Sequence, residues 1–147
     1  MLKVIRANKD SKETLLSLMQ MLYKNHTRED LLLELEGLFK DKNQIFFLAY
    51  SDEIPVGFCH FSLRYEYVES AKTSPVGYLE GIFVIQEYRK QHIAKALYLE
   101  CEKFAKENGI KEIASDCDLD NRVSKKVHEK LGFSVANKNI HFIKTIK

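Results

Sequence analysis

The stretch Leu79 to Leu97, LEGIFVIQEYRKQHIAKAL, decides how the rest of the chain is read. Tyr78 to Ile85 reads as a strand, because Ile82, Phe83, Val84 and Ile85 form a short run of aromatic and β-branched residues. A charged turn, Gln86 to Gln91, follows it. Helical spacing takes over from about His92, with Ile93, Leu97, Cys101 and Phe104 about a turn apart. A helix start exposes unpaired backbone N–H groups and the positive end of a dipole, so it suits a phosphate. Arg89, Lys90 and Lys95 add charge at the same place. On these residues alone, a solvated basic connection reads equally well.

Upstream of this stretch, Leu2 to Arg6 alternates like a short strand. Asp10, three residues before Glu13, reads as a capping-box start. Leu15, Leu18, Met19 and Leu22 then recur at helical spacing, and Tyr23 and His26 fall at the end of that helix on roughly one face. Thr27 with Asp30 marks a second cap, before an amphipathic run of Leu31, Leu32, Leu35, Leu38 and Phe39. Ile45 to Tyr50 and Val56 to Tyr67 read as two strands joined by a hairpin at residues 51–55, with Tyr65 and Tyr67 on one face and Glu66 on the other.

Downstream, Gly109 stops the helix and Ile110 to Asp116 reads as another strand. An acidic loop, Asp116-Cys117-Asp118-Leu119-Asp120-Asn121, opens a further helix, with Asp120 expected to cap it. That helix closes at Leu131-Gly132-Phe133, and Phe133 to Ala136 with Ile140 to Ile146 reads as a final hairpin. The order β-α-α-β-β-β-α-β-α-β-β predicts an α/β chain with a mixed sheet and helices on both faces.

A chain of 147 residues makes one domain with a real core. Its composition, 45% hydrophobic and 30% charged, is that of a soluble globular protein. A net charge of +2 is too small to indicate a nucleic-acid binder. The three cysteines, Cys59, Cys101 and Cys117, have no metal-like spacing and read as reduced, buried thiols of a cytoplasmic protein. No apolar run approaches a membrane span, and no metal is expected.

Tyr88-Arg89-Lys90-Gln91-His92-Ile93-Ala94 resembles the R-x-x-G-x-G/A loop of the GCN5-related N-acetyltransferases (GNATs), with His92 at the first glycine. In that superfamily the loop backbone holds the pyrophosphate of acetyl-coenzyme A, and the strand before it carries a bulge and lines the pantetheine arm. Val127-His128-Glu129-Lys130-Leu131-Gly132-Phe133 resembles a second segment, L-Y-E-K-L-G-F, whose tyrosine protonates the departing thiolate; His128 stands in that place. Tyr65-Glu66-Tyr67-Val68, the run Thr73 to Gly81, Ala114-Ser115-Asp116 and Asp120-Asn121 are similar to the aminoglycoside 6′-N-acetyltransferases over nearly the whole chain.

The resemblance implies a GNAT-like fold: a mostly antiparallel sheet with a splayed parallel strand pair. It implies cofactor contacts at Ile82, Phe83, Val84, Arg89, Lys90, Gln91, His92, Ile93, Ala94, Lys95 and Asn121. Substrate contacts are implied at Tyr67, Glu80 and Asp116, and also at Tyr23, His26 and Asn137. Glu80 is placed to accept the amine proton directly or through water, and a backbone N–H of Ile82, Phe83 or Val84 to polarise the acetyl carbonyl. A homodimer is implied because relatives pair. A polyamine, a protein terminus, or acyl-coenzyme A sensing without turnover stay open as alternatives.

Overall fold

The computed structural model describes residues 1–147. They fall into two compact units, Met1–Asp116 and Cys117–Lys147. The first contains β1 (Leu2–Arg6), a short 3-10 turn (Lys9–Ser11), α1 (Lys12–Leu22), α2 (Arg28–Phe39), β2 (Gln44–Ser51), β3 (Ile54–Arg64), β4 (Val76–Val84), a second 3-10 turn (Gln86–Tyr88), α3 (Ile93–Glu107) and β5 (Ile113–Ser115). The second contains α4 (Arg122–Lys130). The strands lie side by side in chain order, antiparallel except for the parallel pair β4 and β5. No helix is long and apolar enough to cross a membrane.

Strand alternation divides the sheet into two apolar faces. Phe46, Leu48 and Phe58 pack with Leu15, Leu16, Leu18 and Met19 of α1 and Leu31 and Leu35 of α2. The alternate residues meet α3: Cys59 Sγ lies 3.5 Å from Cys101 Sγ, and the Phe61 and Phe104 rings meet edge-on at 6.4 Å. Helices therefore cover both faces of the sheet, as the mixed pattern predicts. Cys59 and Cys101 are buried, and burial holds the Cys59 thiol well above its ordinary range. Cys117 is exposed, which corrects the expectation that all three thiols are buried.

Other boundaries are corrected by local chemistry. The first helical segment is capped by Asn8, whose side chain accepts from the Asp10 N–H while Ser11 reaches back, so the capping box starts two residues earlier than Asp10–Glu13. Thr27 caps α2 as expected, accepting from the Asp30 N–H at 3.1 Å. β3 ends at Arg64, its last residue with a partner on β4, so Tyr65, Glu66 and Tyr67 lie in a loop and strand alternation does not govern them. That loop is tied down further on: the Glu112 carboxylate, just before β5, accepts from the N–H groups of Lys72 and Thr73 and from the Thr73 hydroxyl.

In the second unit, Asn121 rather than Asp120 caps α4, its side-chain oxygen accepting from the Ser124 N–H at 3.0 Å. Gly132 follows with φ of 99°, the left-handed conformation that ends a helix. Residues 133–147 form neither helix nor strand, so the expected final hairpin is absent. Ile140, Phe142, Ile143 and Ile146, the apolar residues of the expected second arm, are exposed, so alternation there is not matched by burial.

The core assignment is testable by truncation. Leu48→Ala removes a side chain that is 0% exposed and should cost about 3 kcal/mol of unfolding free energy. Leu33→Ala, on α2 but 74% exposed, should change it by less than about 0.5 kcal/mol. Urea denaturation of both variants checks the contrast.

Candidate active site

The site begins with a fault in the sheet. Leu79 of β4 stands opposite Phe61 of β3, but Gly81 stands opposite His60, so Glu80 is one residue more than the partner strand has. A bulge of this kind bends the strand and re-aims its side chains. It is the bulge that the resemblance implied, and it falls on Glu80. The parallel pairing with β5 covers only Gly77 to Leu79, so β4 also loses its other neighbour at the same point.

Beyond the bulge, Ile85 donates its N–H to the Val56 carbonyl of the β3 side, and the Val84 carbonyl on the opposite edge accepts from Arg89 Nε at 2.9 Å. Backbone groups alternate in direction along a strand, so the N–H groups of Ile82 and Val84 point to this edge and that of Phe83 points to β3. Ile82 and Val84 therefore present backbone donors along an edge that β5 leaves open, whereas Phe83 does not.

The side chain of Glu80 is received by polar residues spaced two apart on β3. Ser62 donates its hydroxyl to Glu80 Oε2 at 2.6 Å; Arg64 donates from Nε to Oε2 at 3.0 Å and from Nη2 to Oε1 at 2.7 Å. Ser62 is the one buried polar side chain, 1% exposed. The Arg64 guanidinium also lies over the Tyr78 ring, 3.4 Å from its centroid. Tyr78 in turn donates its hydroxyl to Asp116 Oδ2. Burial first, and then this bond to Asp116, push the Tyr78 phenol well above its usual range and keep it a donor.

Glu80 borders two cavities. One, of about 620 Å³, is lined by Asp41, Asn43, Gln44, Arg64, Glu66 and neighbouring residues. The other, of about 230 Å³, has apolar walls from Met19, Leu31, Phe46 and Phe58, with Tyr23, His26, Glu34 and His60 among them. Tyr23 approaches β4 so closely that a β-carbon on Gly81 would lie 2.6 Å from its hydroxyl. Its ring meets His26 edge-on at 6.1 Å, and burial, then Glu34 and Glu80, raise its phenol. His60 stacks on Phe46 at 4.3 Å and places Nε2 2.6 Å from Gln44 Oε1, an acceptor, so Nε2 carries the proton. Burial lowers the His60 imidazole to about 4, against an opposing pull from Glu80.

The basic turn after β4 is a second component. Lys90 and His92 have φ of 62° and 63°, both left-handed, where a β-carbon is strained. α3 starts directly after His92 without a side-chain cap, and its first intrahelical bond is Ala96 N–H to the His92 carbonyl. The N–H groups of Ile93, Ala94 and Lys95 precede that bond and have no intrahelical acceptor, which is the arrangement a diphosphate fits. Gln91 and Lys95 are exposed beside them. Arg89 does not extend freely: its Nε is spent on Val84 and its guanidinium stands 5.8 Å from the Phe83 ring.

The remaining expected residues are placed differently. Tyr67 lies past the end of β3, 78% exposed. Asn121, His128 and Asn137 belong to the second unit. Asn121 uses its side-chain oxygen as the helix cap. His128 Nδ1 lies 2.7 Å from the Ser124 carbonyl, so Nδ1 carries the proton and the neutral ring has its acceptor at Nε2. A ring in that state can donate from Nε2 only after a second protonation. Asn137 falls in the stretch without regular structure.

The sequence reading missed Ser62, Arg64, Tyr78, His60 and Gln44. A signal was present for three of them: polar side chains at 60, 62 and 64 repeat at strand period through an otherwise apolar run.

Half-buried and neutral, His60 resists a proton that the unfolded chain accepts. Stability should therefore fall as pH drops from 6.5 toward 4, the window between its ordinary and its folded value. Unfolding free energies measured across that window should show a shallower slope for His60→Gln than for the parent chain.

Comparison with known proteins agrees with this architecture. The acetyltransferase (GNAT) family model matches residues 12–133. An aminoglycoside N(6′)-acetyltransferase type 1 from Acinetobacter genomosp. 13 is 40% identical over 132 residues, 89% of this chain and 90% of the relative. The crystal structure of the aminoglycoside 6′-N-acetyltransferase AAC(6′)-Ih from Acinetobacter baumannii superposes with a TM-score of 0.93 at 34% identity, covering 100% of both chains. AAC(6′)-Iy, solved with the bisubstrate analogue CoA-S-monomethyl-acetylneamine, also gives 0.93, at 31% identity and 99% coverage of each chain. With its bulged β4 only briefly paired to β5, its uncapped helix start and a match of this extent, the chain belongs to the GNAT family and, within it, to the aminoglycoside 6′-N-acetyltransferases.

Proposed function

We propose that this protein transfers the acetyl group of acetyl-coenzyme A to the 6′-amine of aminoglycoside antibiotics, and so confers resistance, by direct transfer in a ternary complex. The observation that carries the reading is Glu80, bulged out of β4 where the open edge with the Ile82 and Val84 N–H groups begins. Acetyl-coenzyme A supplies an acetyl thioester, which the neutral amine attacks at carbon while the C–S bond breaks and the thiolate departs to take a proton. The α3 start, with Gln91, Lys90, His92 and Lys95 about it, holds the diphosphate by N–H groups and charge. The N–H of Ile82 or Val84 receives the carbonyl oxygen as negative charge develops on it. Glu80 accepts the proton the amine must shed, directly or through water.

Acceptor recognition is electrostatic. Several ammonium groups on one sugar pair with carboxylates that stay ionised, each close pair lowering the binding free energy. Glu80 and Asp116 supply two carboxyl side chains, with Tyr23 and His26 beside the smaller cavity. Tyr67 and Asn137 are assigned to the periphery of the acceptor. His128 is assigned to protonation of the departing thiolate, the place it holds in the resemblance. The protein acts in the cytoplasm, where acetyl-coenzyme A is available, and as a homodimer; Ile140, Phe142, Ile143 and Ile146, 79–89% exposed, favour burial against a second copy.

Free-thiol release from acetyl-coenzyme A with kanamycin, spermidine and a peptide amine tests the acceptor. Turnover with kanamycin alone is expected; turnover with spermidine alone would make this a polyamine enzyme. Asp116→Ala should raise the KM for kanamycin at least tenfold and leave acetyl-coenzyme A binding unchanged, the equivalent of ~1.4 kcal/mol. His92→Gly removes a strained left-handed β-carbon and should keep or tighten acetyl-coenzyme A binding in a calorimetric titration. A tenfold loss there would show that the imidazole itself contacts the cofactor.

A further inference from the structure

We propose that Arg64 is a positioning residue that fixes Glu80 and Asp116 as one unit and directs a single Glu80 oxygen at the acceptor amine. This rests on the reading above, in which the acceptor is a polycationic amino sugar.

The geometry is asymmetric in a way that matters for proton transfer. Glu80 Oε2 accepts two bonds, from Ser62 Oγ at 2.6 Å and Arg64 Nε at 3.0 Å, whereas Oε1 accepts one, from Arg64 Nη2 at 2.7 Å. A carboxylate has about two acceptor directions on each oxygen, so Oε2 is filled and Oε1 keeps one. Oε1 is then the atom that takes the amine proton. A glutamate in a bulge has rotamers to choose from, and a planar fork with fixed donor spacing selects one of them.

The same guanidinium fixes the second anion. Its carbon sits 3.4 Å from the Tyr78 ring centroid, so the face of Tyr78 and the edge of Glu80 are held by one rigid group. The Tyr78 hydroxyl then donates to Asp116. Glu80, Arg64, Tyr78 and Asp116 thus form a continuous chain, with Arg64 side-chain exposure of 32% and Glu80 of 22%. This chain of four side chains holds two carboxyl groups against one guanidinium. Lysine at 64 would conserve the positive charge but supply neither the fork nor the flat face.

Initial rates of the full chain with kanamycin and acetyl-coenzyme A test the assignment. Arg64→Gln should lower kcat at least tenfold while the KM for acetyl-coenzyme A stays within twofold. Arg64→Lys should remain at least fivefold below wild type, and ethylguanidine should restore part of the activity of Arg64→Gly but none to Glu80→Gln. Wild-type rates in Arg64→Lys, a parallel loss of acetyl-coenzyme A binding in Arg64→Gln, or no rescue of a folded Arg64→Gly would overturn the proposal. Calorimetric kanamycin titrations of Arg64→Gln, Asp116→Asn and the double variant test the link to Asp116: the fold-losses should not multiply, and simple multiplication sinks it. If wild type neither binds nor acetylates kanamycin, it is the acceptor reading that fails. The positioning role is then decided by the crystal structure of Arg64→Gln, where Glu80 unmoved from its present rotamer rejects it.

Discussion

One residue too many in β4 organises the chemistry of this molecule. Because Glu80 and Gly81 together oppose His60, the side-chain phase of the strand inverts at that point. Before it, Tyr78 shares a facet with Ser62; after it, Phe83 packs toward Phe58, with ring centroids 6.3 Å apart, and joins the core beneath α1 and α2. The strand thus keeps both ends in a well-packed sheet while its middle carries an acid. The short β5 releases the opposite edge of β4 at the same place, so a side-chain acceptor and backbone donors come into reach of one another. Neither feature serves without the other.

An acid in the middle of a sheet needs partners, and the fold supplies them at strand period. Ser62 and Arg64 satisfy Glu80, and Arg64 is itself held by Tyr78. The adjoining position, His60, meets the same requirement by staying neutral against Phe46 and Gln44. One face of β3 thus grades from the apolar wall of Phe58, through the neutral His60, to the ion-paired Arg64. That gradient suits a sugar, whose ring is partly apolar and whose substituents are charged.

The basic turn uses strain in place of glycine. Left-handed Lys90 and His92 bring the chain sharply round from β4 into α3, a conformation that costs a residue with a β-carbon on the order of 1–2 kcal/mol. Its surroundings enforce it: Arg89 is tied to the Val84 carbonyl on one side, and Ile93, Leu97 and Cys101 are buried on the other. Strain of this kind persists where packing over-determines the backbone, and here it leads straight into the uncapped first turn of α3.

Much of this was legible in the chain itself. Period-2 and period-3.6 patterns placed β1 to β4 and α1 to α3 within a few residues, because burial of an apolar face is a local, repeating demand. The motifs around Arg89 and Glu80 carry the family resemblance in the chain itself. Other features escaped. The capping role of Asn8 and Asn121 over Asp10 and Asp120 depended on which backbone N–H lay within reach. The ending of β3 at Arg64 depended on where its partner stops. The proposed final hairpin had the right alternation, yet residues 133–147 form no ladder, since alternation specifies a face and not a partner.

The sequence by itself determined the fold class, the helix and strand faces, and the residue types at the site, all of which follow from neighbours along the chain. Only the tertiary structure decided that Glu80 is the bulged residue, that Arg64 rather than solvent receives it, and that Ile82 and Val84, not Phe83, present their N–H groups to the open edge. The physical reason is that register, and with it the direction of every side chain and N–H on a strand, is set by pairing with residues distant in the chain, such as Phe61 with Leu79 and Leu79 with Ser115.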